Sequence, residues 1–156
     1  KIAQIADLIS ERRDTLRVVL IAGPSSSGKT TFAQRLLVQL RVNGRRPVSI
    51  SLDNYFIDRK LTPKDENGEL DFESIDALKL ELFNTQLSQL IAGEKVEIPI
   101  YNFKTGCCEP EGFPMRVPEG EPIIIEGIHG LNDRLTEVIP REQKYKIYVS
   151  ALTQLN

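Results

Sequence analysis

The sequence predicts an α/β protein in which a mostly parallel, doubly wound sheet lies between two layers of helices. Short apolar runs rich in Ile and Val recur along the chain, and such runs are typical of strands that are buried on both faces. Segments with helical periodicity lie between several of these runs. Because parallel strands need crossover connections, and these are right-handed, the alternation favours a three-layer arrangement.

The elements can be placed in chain order from their apolar patterns. Residues 17–22, 47–52, 122–127 and 145–149 are predicted as strands. Helices are predicted over about the first dozen residues, after Gly28, from Ser74 to Gly93, and over 131–139. Residues 95–118 carry Pro and Gly among scattered apolar side chains, so we expect a small extended insertion rather than a layer of the core.

The composition excludes some functional classes. With 20 basic and 22 acidic side chains the formal net charge is -2, so a nucleic-acid partner is not expected. No apolar run is long enough to span a bilayer. The adjacent Cys107 and Cys108 favour a reducing, cytoplasmic setting over a disulfide framework. The chain starts without Met and stops at Asn156, so we expect a single domain over 1–156 that lacks the lid and C-terminal elements of a longer protein.

A complete phosphate-binding loop follows the first predicted strand. The run Gly23-Pro24-Ser25-Ser26-Ser27-Gly28-Lys29-Thr30 matches G-x-x-x-x-G-K-[ST], with a strand before it and an amphipathic helix after it. The glycines let backbone N–H groups turn around an anion, the Lys places a positive charge on the outer phosphates, and the Thr hydroxyl can ligate Mg²⁺. The sequence thus predicts a three-layer P-loop NTPase fold. The predicted ATP-binding residues are Gly23, Ser25, Ser26, Ser27, Gly28, Lys29, Thr30 and Thr31.

Two acidic residues follow the next predicted strands. Asp53 and Glu126 come at their carboxyl ends, where open α/β sheets bind their ligands. With Thr30 they can converge on one Mg²⁺ and on the phosphate, and a hydroxyl acceptor also needs a carboxylate near its proton. The guanine-reading Asn-Lys-x-Asp motif of GTPases and the signature of transporter ATPases are absent, so elimination favours a small-molecule kinase.

An ordered set of motifs resembles the uridine kinase and phosphoribulokinase family over most of the chain. The motifs are GPSSSGKTT at 23–31, SLDNYF at 51–56, LDFE at 70–73, PIYNF at 99–103 and IIEG at 124–127. The sequences of residues 101–106 and 126–132 are most similar to those of bacterial uridine kinase-like proteins.

The resemblance implies roles for individual residues. It implies that Asp53 is the catalytic carboxylate that accepts the proton of a nucleoside 5′-hydroxyl, acting with Lys29. Thr30, Asp53 and Glu126 are implied to hold Mg²⁺, directly or through water. The implied substrate-binding residues are Phe56, Phe72, Glu73, Tyr101 and Phe103, and Glu73 falls where uridine kinases carry an Asp that binds the ribose hydroxyls.

The chain departs from the family pattern at three positions. Glu73 is one methylene longer than the usual Asp, Asn102 stands where uridine kinases usually have Asp, and Gly106 stands where they usually have a base-reading His. Two other features are interpreted as structural. His129 has no nucleophile paired with it and is expected to pack in a turn, and Arg41, Arg45 and Arg46 are expected on a solvated helix end.

The function predicted from these observations is an ATP-dependent nucleoside 5′-kinase that uses Mg²⁺ and a uridine- or cytidine-like acceptor. One alternative is a phosphoribulokinase-like kinase of a sugar phosphate or other small alcohol. A second is an ATP-sensing regulatory module without efficient turnover. The partner expected is a small-molecule nucleoside, with no nucleic acid and no membrane, and the sequence leaves a homo-oligomer open.

Overall fold

In the part of the chain that the structure describes, the regular structure consists of eight strands and three α-helices, with short 3₁₀ turns between them. A computed structural model of the chain describes residues 1–24, 28–129 and 132–150. The strands are β1 (Val18–Ala22), β2 (Val48–Ser51), β3 (Val96–Ile98), β4 (Tyr101–Asn102), β5 (Cys107–Cys108), β6 (Phe113–Met115), β7 (Ile123–Glu126) and β8 (Lys144–Tyr148). The helices are α1 (Ile2–Glu11), α2 (Lys29–Val42) and α3 (Leu80–Ile91). None of the described helices is long and apolar enough to cross a membrane.

The central sheet has four parallel strands in the order β2–β7–β1–β8. Its register brings the carboxyl ends of three strands level, because Glu126 of β7 pairs with both Ser51 of β2 and Ile21 of β1. Residues just beyond these strands therefore meet along one edge of the sheet. This edge carries the phosphate-binding loop and both predicted carboxylates.

Side chains from the two faces of the sheet enter two separate hydrophobic clusters. Val19 and Ile21 of β1 pack on the side covered by α1 and α2. Val18 and Leu20 point into the other cluster, which contains α3. All five residues of β1 are buried, as expected for a strand with helices on both sides. The predicted three-layer α/β fold is confirmed.

The helix that was predicted to start at Ser74 begins later. Ser74 caps only a short 3₁₀ turn, Ile75–Ala77, by accepting a hydrogen bond from the Asp76 N–H at 3.2 Å. Leu78 is then extended and bridges Phe56, and the Lys79 N–H donates to the Tyr55 carbonyl at 2.6 Å. Since these bonds require extended backbone, α3 cannot start before Leu80.

Residues 95–118 form two antiparallel ribbons, β3 with β6 and β4 with β5. The segment is extended, as predicted. The segment adds no strand to the central sheet, and its apolar residues Val96, Ile98, Tyr101 and Val117 are buried in the same cluster as α3. The carbonyl of Glu97 also accepts a hydrogen bond from the Gln86 side chain of α3 at 2.9 Å.

Two further expectations need correction. Within the predicted helix 131–139 the described residues form only a 3₁₀ turn, Asp133–Thr136, which Asn132 caps by accepting from the Arg134 N–H at 3.0 Å; residue 131 lies outside the described residues. Arg45 is not on a solvated helix end. It is 3% exposed, and its Nε donates to the Glu121 carboxylate at 3.0 Å, because Arg45 and Glu121 come just before the neighbouring parallel strands β2 and β7.

Candidate active site

The phosphate-binding loop leads directly into α2. Gly28 caps this helix with φ +84°, a left-handed conformation that favours glycine, and its carbonyl accepts from the Phe32 N–H at 2.9 Å. Lys29 is the first helical residue and is 8% exposed, and its Nζ donates to the Pro24 carbonyl at 3.1 Å. Its ammonium group is thus folded over the loop. Of the predicted loop residues, Ser25, Ser26 and Ser27 lie outside the described residues.

Thr30 and the two acids come together at the edge of the sheet. The Thr30 hydroxyl donates to Glu126 Oε1 at 3.4 Å. Asp53 is placed by a 3₁₀ turn, Leu52–Tyr55, in which the Ser51 hydroxyl accepts from the Asp53 N–H at 3.3 Å. Strand β2 therefore ends at Ser51, one residue earlier than predicted. Thr31 lies on the exposed side of α2.

The electrostatics of this edge favour a bound cation. Burial raises the pKa of Asp53, and the charge of Lys29 opposes that rise. Burial also raises the pKa of Glu126; the neighbouring charge of Asp53 adds to the rise, while the hydroxyls of Ser51 and Thr30 oppose it. Two carboxylates that are desolvated and repel each other are stabilised in their charged form by a cation between them.

The donor set fits Mg²⁺. It consists of two carboxylates and a hydroxyl, which are hard oxygen donors of the kind that Mg²⁺ selects. In the described part of the chain no group of three or more His, Cys, Asp or Glu side chains could enclose a metal ion.

Four of the five predicted substrate-binding residues form one aromatic cluster next to Asp53. Phe56 is its centre, with ring centroids 5.2 Å from Phe72, 5.6 Å from Tyr101 and 6.2 Å from Phe103, all edge-to-face. Phe56 and Tyr101 are buried, whereas Phe103 is 58% exposed at the rim. Asn54 fixes the cluster to the carboxylate turn, because its Oδ1 accepts from the Tyr101 N–H at 3.3 Å.

His129 connects the two halves of the site. It is 6% exposed, its ring centroid is 6.4 Å from that of Phe56, and its Nε2 is 3.0 Å from the Phe72 carbonyl oxygen. A carbonyl can only accept, so Nε2 carries the proton. Burial lowers the pKa of His129, against the opposing influence of the Phe72 carbonyl and the charge of Asp53. The packed role expected for this residue is confirmed, and its position between Asp53 and the aromatic cluster is new.

Comparison with known proteins decides the family. The family model for the phosphoribulokinase / uridine kinase family matches residues 18–156. The chain belongs to this family. The resemblance seen in the ordered motifs is therefore confirmed.

Relatives of this phosphoribulokinase / uridine kinase chain include curated uridine kinases. The chain is 30% identical over 132 residues to one from Ureaplasma parvum, covering 85% of this chain and 61% of the relative. It is 37% identical over 120 residues to one from Schizosaccharomyces pombe, covering 76% and 26%. The fold matches a possible uridine kinase from Bacillus stearothermophilus with a TM-score of 0.65 at 21% identity, covering 93% of this chain and 80% of that one. The chain spans about three fifths of the length of the Ureaplasma relative.

The positions at which the chain departs from the family pattern have structural explanations in two cases. The Asn102 Oδ1 accepts from the Lys104 N–H at 2.8 Å, and its Nδ2 donates to the Glu109 carboxylate at 2.7 Å. An ionised Asp could accept the first hydrogen bond but could not donate the second. Gly106 has φ +72° and lies against the Arg59 side chain. Glu73 is the one predicted substrate-binding residue that the structure does not bring into the aromatic cluster: its side chain is exposed, and its N–H donates to the Asp71 carboxylate at 3.1 Å.

The sequence pattern did not single out Arg59 or the contact of His129 with the aromatic cluster. Each residue contacts a loop that is distant in the sequence: Arg59 and Phe103 are 44 residues apart, and His129 and Phe72 are 57 residues apart. These segments meet only in the folded chain. The only signal was the neighbouring motif in each case, SLDNYF before Arg59 and IIEG before His129.

Proposed function

We propose that this chain is the nucleotide-binding core of a kinase that transfers the γ-phosphate of ATP to the 5′-hydroxyl of a nucleoside. Membership of the family supports an ATP-dependent kinase. The observation that carries the nucleoside acceptor is that the aromatic cluster begins at Phe56, three residues after Asp53. Planar aromatic side chains suit a base, and a carboxylate beside them can reach a hydroxyl of the attached sugar.

In this mechanism Asp53 orients the acceptor hydroxyl and takes its proton as the oxygen attacks the γ-phosphorus. Lys29 neutralises charge on the transferring phosphoryl group from its place at the start of α2. Thr30, Glu126 and Asp53 would hold Mg²⁺, which would neutralise charge on the nucleotide phosphates.

The test is ATP consumption by the full-length protein with Mg²⁺ and a panel of nucleosides, with Asp53→Asn alongside. We expect one nucleoside to stimulate turnover, and the variant to lose about 10²–10⁴-fold in kcat while it still binds ATP. Asp14→Asn is the matched control, because Asp14 is an exposed carboxylate that precedes β1 at the opposite edge of the sheet. If the variant keeps wild-type turnover, Asp53 is not the base.

A sugar phosphate or other small alcohol is the second candidate acceptor. The observation in its favour is Gly106, which offers no side chain where uridine kinases usually have their base-reading His. Adding ribulose 5-phosphate to the panel separates the two: stimulation by it and by no nucleoside would replace the first proposal. ATP binding without stimulation by any acceptor would favour the ATP-sensing module instead.

We place the reaction in the cytoplasm. Cys107 and Cys108 are both free, and such adjacent thiols persist where the compartment is reducing. The measurement is the location of the tagged full-length protein in fractionated cells.

A further inference from the structure

The rim of the aromatic cluster is a tight turn, residues 103–106, between β4 and β5. It is closed by the Gly106 N–H, which donates to the Asn102 carbonyl at 2.8 Å. Phe103 is its first residue, with its ring centroid 4.9 Å from Tyr101 and 6.2 Å from Phe56. Because Phe103 is the exposed member of the cluster, the conformation of this turn sets how it faces an incoming acceptor.

Arg59 holds both ends of this turn. Its backbone N–H donates to the Gly106 carbonyl at 2.7 Å, and its guanidinium donates from Nη2 to the Phe103 carbonyl. Arg59 begins a short 3₁₀ turn, Arg59–Leu61, six residues after Asp53. One residue therefore ties the rim to the segment that carries the catalytic carboxylate.

Gly106 provides the space that the Arg59 side chain occupies. A Cβ at position 106 would lie 2.8 Å from the Arg59 Cβ, 2.8 Å from its Nε and 2.9 Å from its Cζ. With φ +72° the position is also strained for any residue with a side chain. A ring at 106, as uridine kinases usually have, and the Arg59 conformation seen here exclude each other.

We propose that Arg59 is a positioning residue of the acceptor pocket, which holds Phe103 in place through the 103–106 turn and takes the volume left by Gly106. The proposal rests on the proposed kinase function for its effect on the acceptor, but the contacts with the turn stand independently of it. Discrimination at this rim then depends on the placement of Phe103 rather than on a side chain at 106.

The first test is hydrogen exchange of the full-length protein without ligand. Arg59→Ala removes the guanidinium contact and keeps the backbone bond, so exchange in residues 101–108 should rise about tenfold while α2 is unchanged. Arg59→Lys should give a smaller rise. Lys60→Ala is the matched control, an exposed cation in the same 3₁₀ turn, and should exchange like wild type. Wild-type exchange in Arg59→Ala overturns the proposal.

The second test is kinetic, with whichever acceptor of the panel the wild type phosphorylates. Arg59→Ala should raise KM for the acceptor about tenfold and leave KM for ATP unchanged. Gly106→Ala should also raise the acceptor KM. The factor should be smaller when the substitution is made in the Arg59→Ala background than in the wild type, because part of its effect is the clash with the guanidinium.

These outcomes separate the two proposals. Faster hydrogen exchange at residues 101–108 in Arg59→Ala, together with an unchanged acceptor KM, overturns the positioning role. If the wild type phosphorylates nothing on the panel, the proposed kinase function fails, and the exchange measurement alone decides whether Arg59 holds the turn.

Discussion

Thr30 and Glu126 are 96 residues apart in sequence, and the Thr30 hydroxyl donates to the Glu126 carboxylate at 3.4 Å. The contact joins the first turn of α2 to the end of β7. It forms because β1 and β7 are neighbouring parallel strands in register, so that the segments just beyond their carboxyl ends meet at one edge. The phosphate-binding helix and the acidic edge are thereby fixed relative to each other.

Removing the charge of Glu126 should raise the Mg²⁺ concentration that turnover requires. In Glu126→Gln the Thr30 contact can persist, but one carboxylate ligand is lost, so we expect the Mg²⁺ concentration for half-maximal turnover to rise about tenfold. The measurement is turnover against Mg²⁺ at saturating ATP. Glu119→Gln, an exposed carboxylate, is the control, and an equal change in both variants would contradict the assignment.

Replacing Asp53 by Asn should stabilise the ligand-free protein at neutral pH. The folded-state pKa of Asp53 is raised above 3.8, so above that pH the folded chain holds its proton longer than the unfolded chain. Stability therefore falls as the pH rises through this window. Because Asp53 is an exposed residue whose carboxyl group is only partly desolvated, water screens the effect, and the gain in Tm for Asp53→Asn should be small, about 2 °C at neutral pH. It should vanish near pH 3.8, and a lower Tm at neutral pH would refute the burial argument.

Asn102 should not tolerate the Asp that uridine kinases usually have at this position. Asn102→Asp removes the donor to Glu109 and sets two carboxylates at hydrogen-bond distance, at a cost of about 1–3 kcal/mol in the free energy of unfolding. Adding Glu109→Gln restores a donor to the pair and should recover most of the loss. Urea unfolding of both single variants and of the double variant measures this coupling, and strict additivity would exclude it.

The buried ion pair of Arg45 and Glu121 should be essential for stability. The two side chains are 3% and 5% exposed, and Glu121 Oε1 also accepts from the Arg46 N–H at 2.9 Å. Glu121→Ala leaves a buried guanidinium without its partner and should cost about 3–5 kcal/mol. Glu119→Ala, at the exposed neighbouring acid, should change stability by less than about 0.5 kcal/mol. Similar urea midpoints for the two variants would show that the pair is not needed.

His129 should make stability depend on pH below 6.5. Its folded-state pKa is lowered by burial, so between that pKa and 6.5 the unfolded chain binds more protons and stability rises with pH. His129→Gln keeps a donor for the Phe72 carbonyl but does not titrate. The difference in Tm between the wild type and the variant, followed as a function of pH, isolates this contribution because the chain has a single His. A difference that is constant with pH would contradict it.

Much of the site could be predicted from local patterns. The loop at 23–30 has required residue types at a fixed spacing, and the apolar runs before Gly23 and Glu126 are buried in the sheet. The predicted ends of helices were wrong where a contact with a distant segment overrides the local helix-capping preference. Ser74 is a good cap, yet the bonds from Tyr55 and Phe56 to residues 78–79 delay α3 until Leu80.

The sequence by itself determined the layered α/β fold, the phosphate loop and the two strand-end acids, because these depend on residue type and periodicity within short segments. Only the tertiary structure decided that Phe56 centres the aromatic cluster, that Arg59 fills the space beside Gly106, and that Arg45 is buried. Each of those joins segments that are far apart in the chain, and a contact between side chains is set by the register and packing of whole elements rather than by any local pattern.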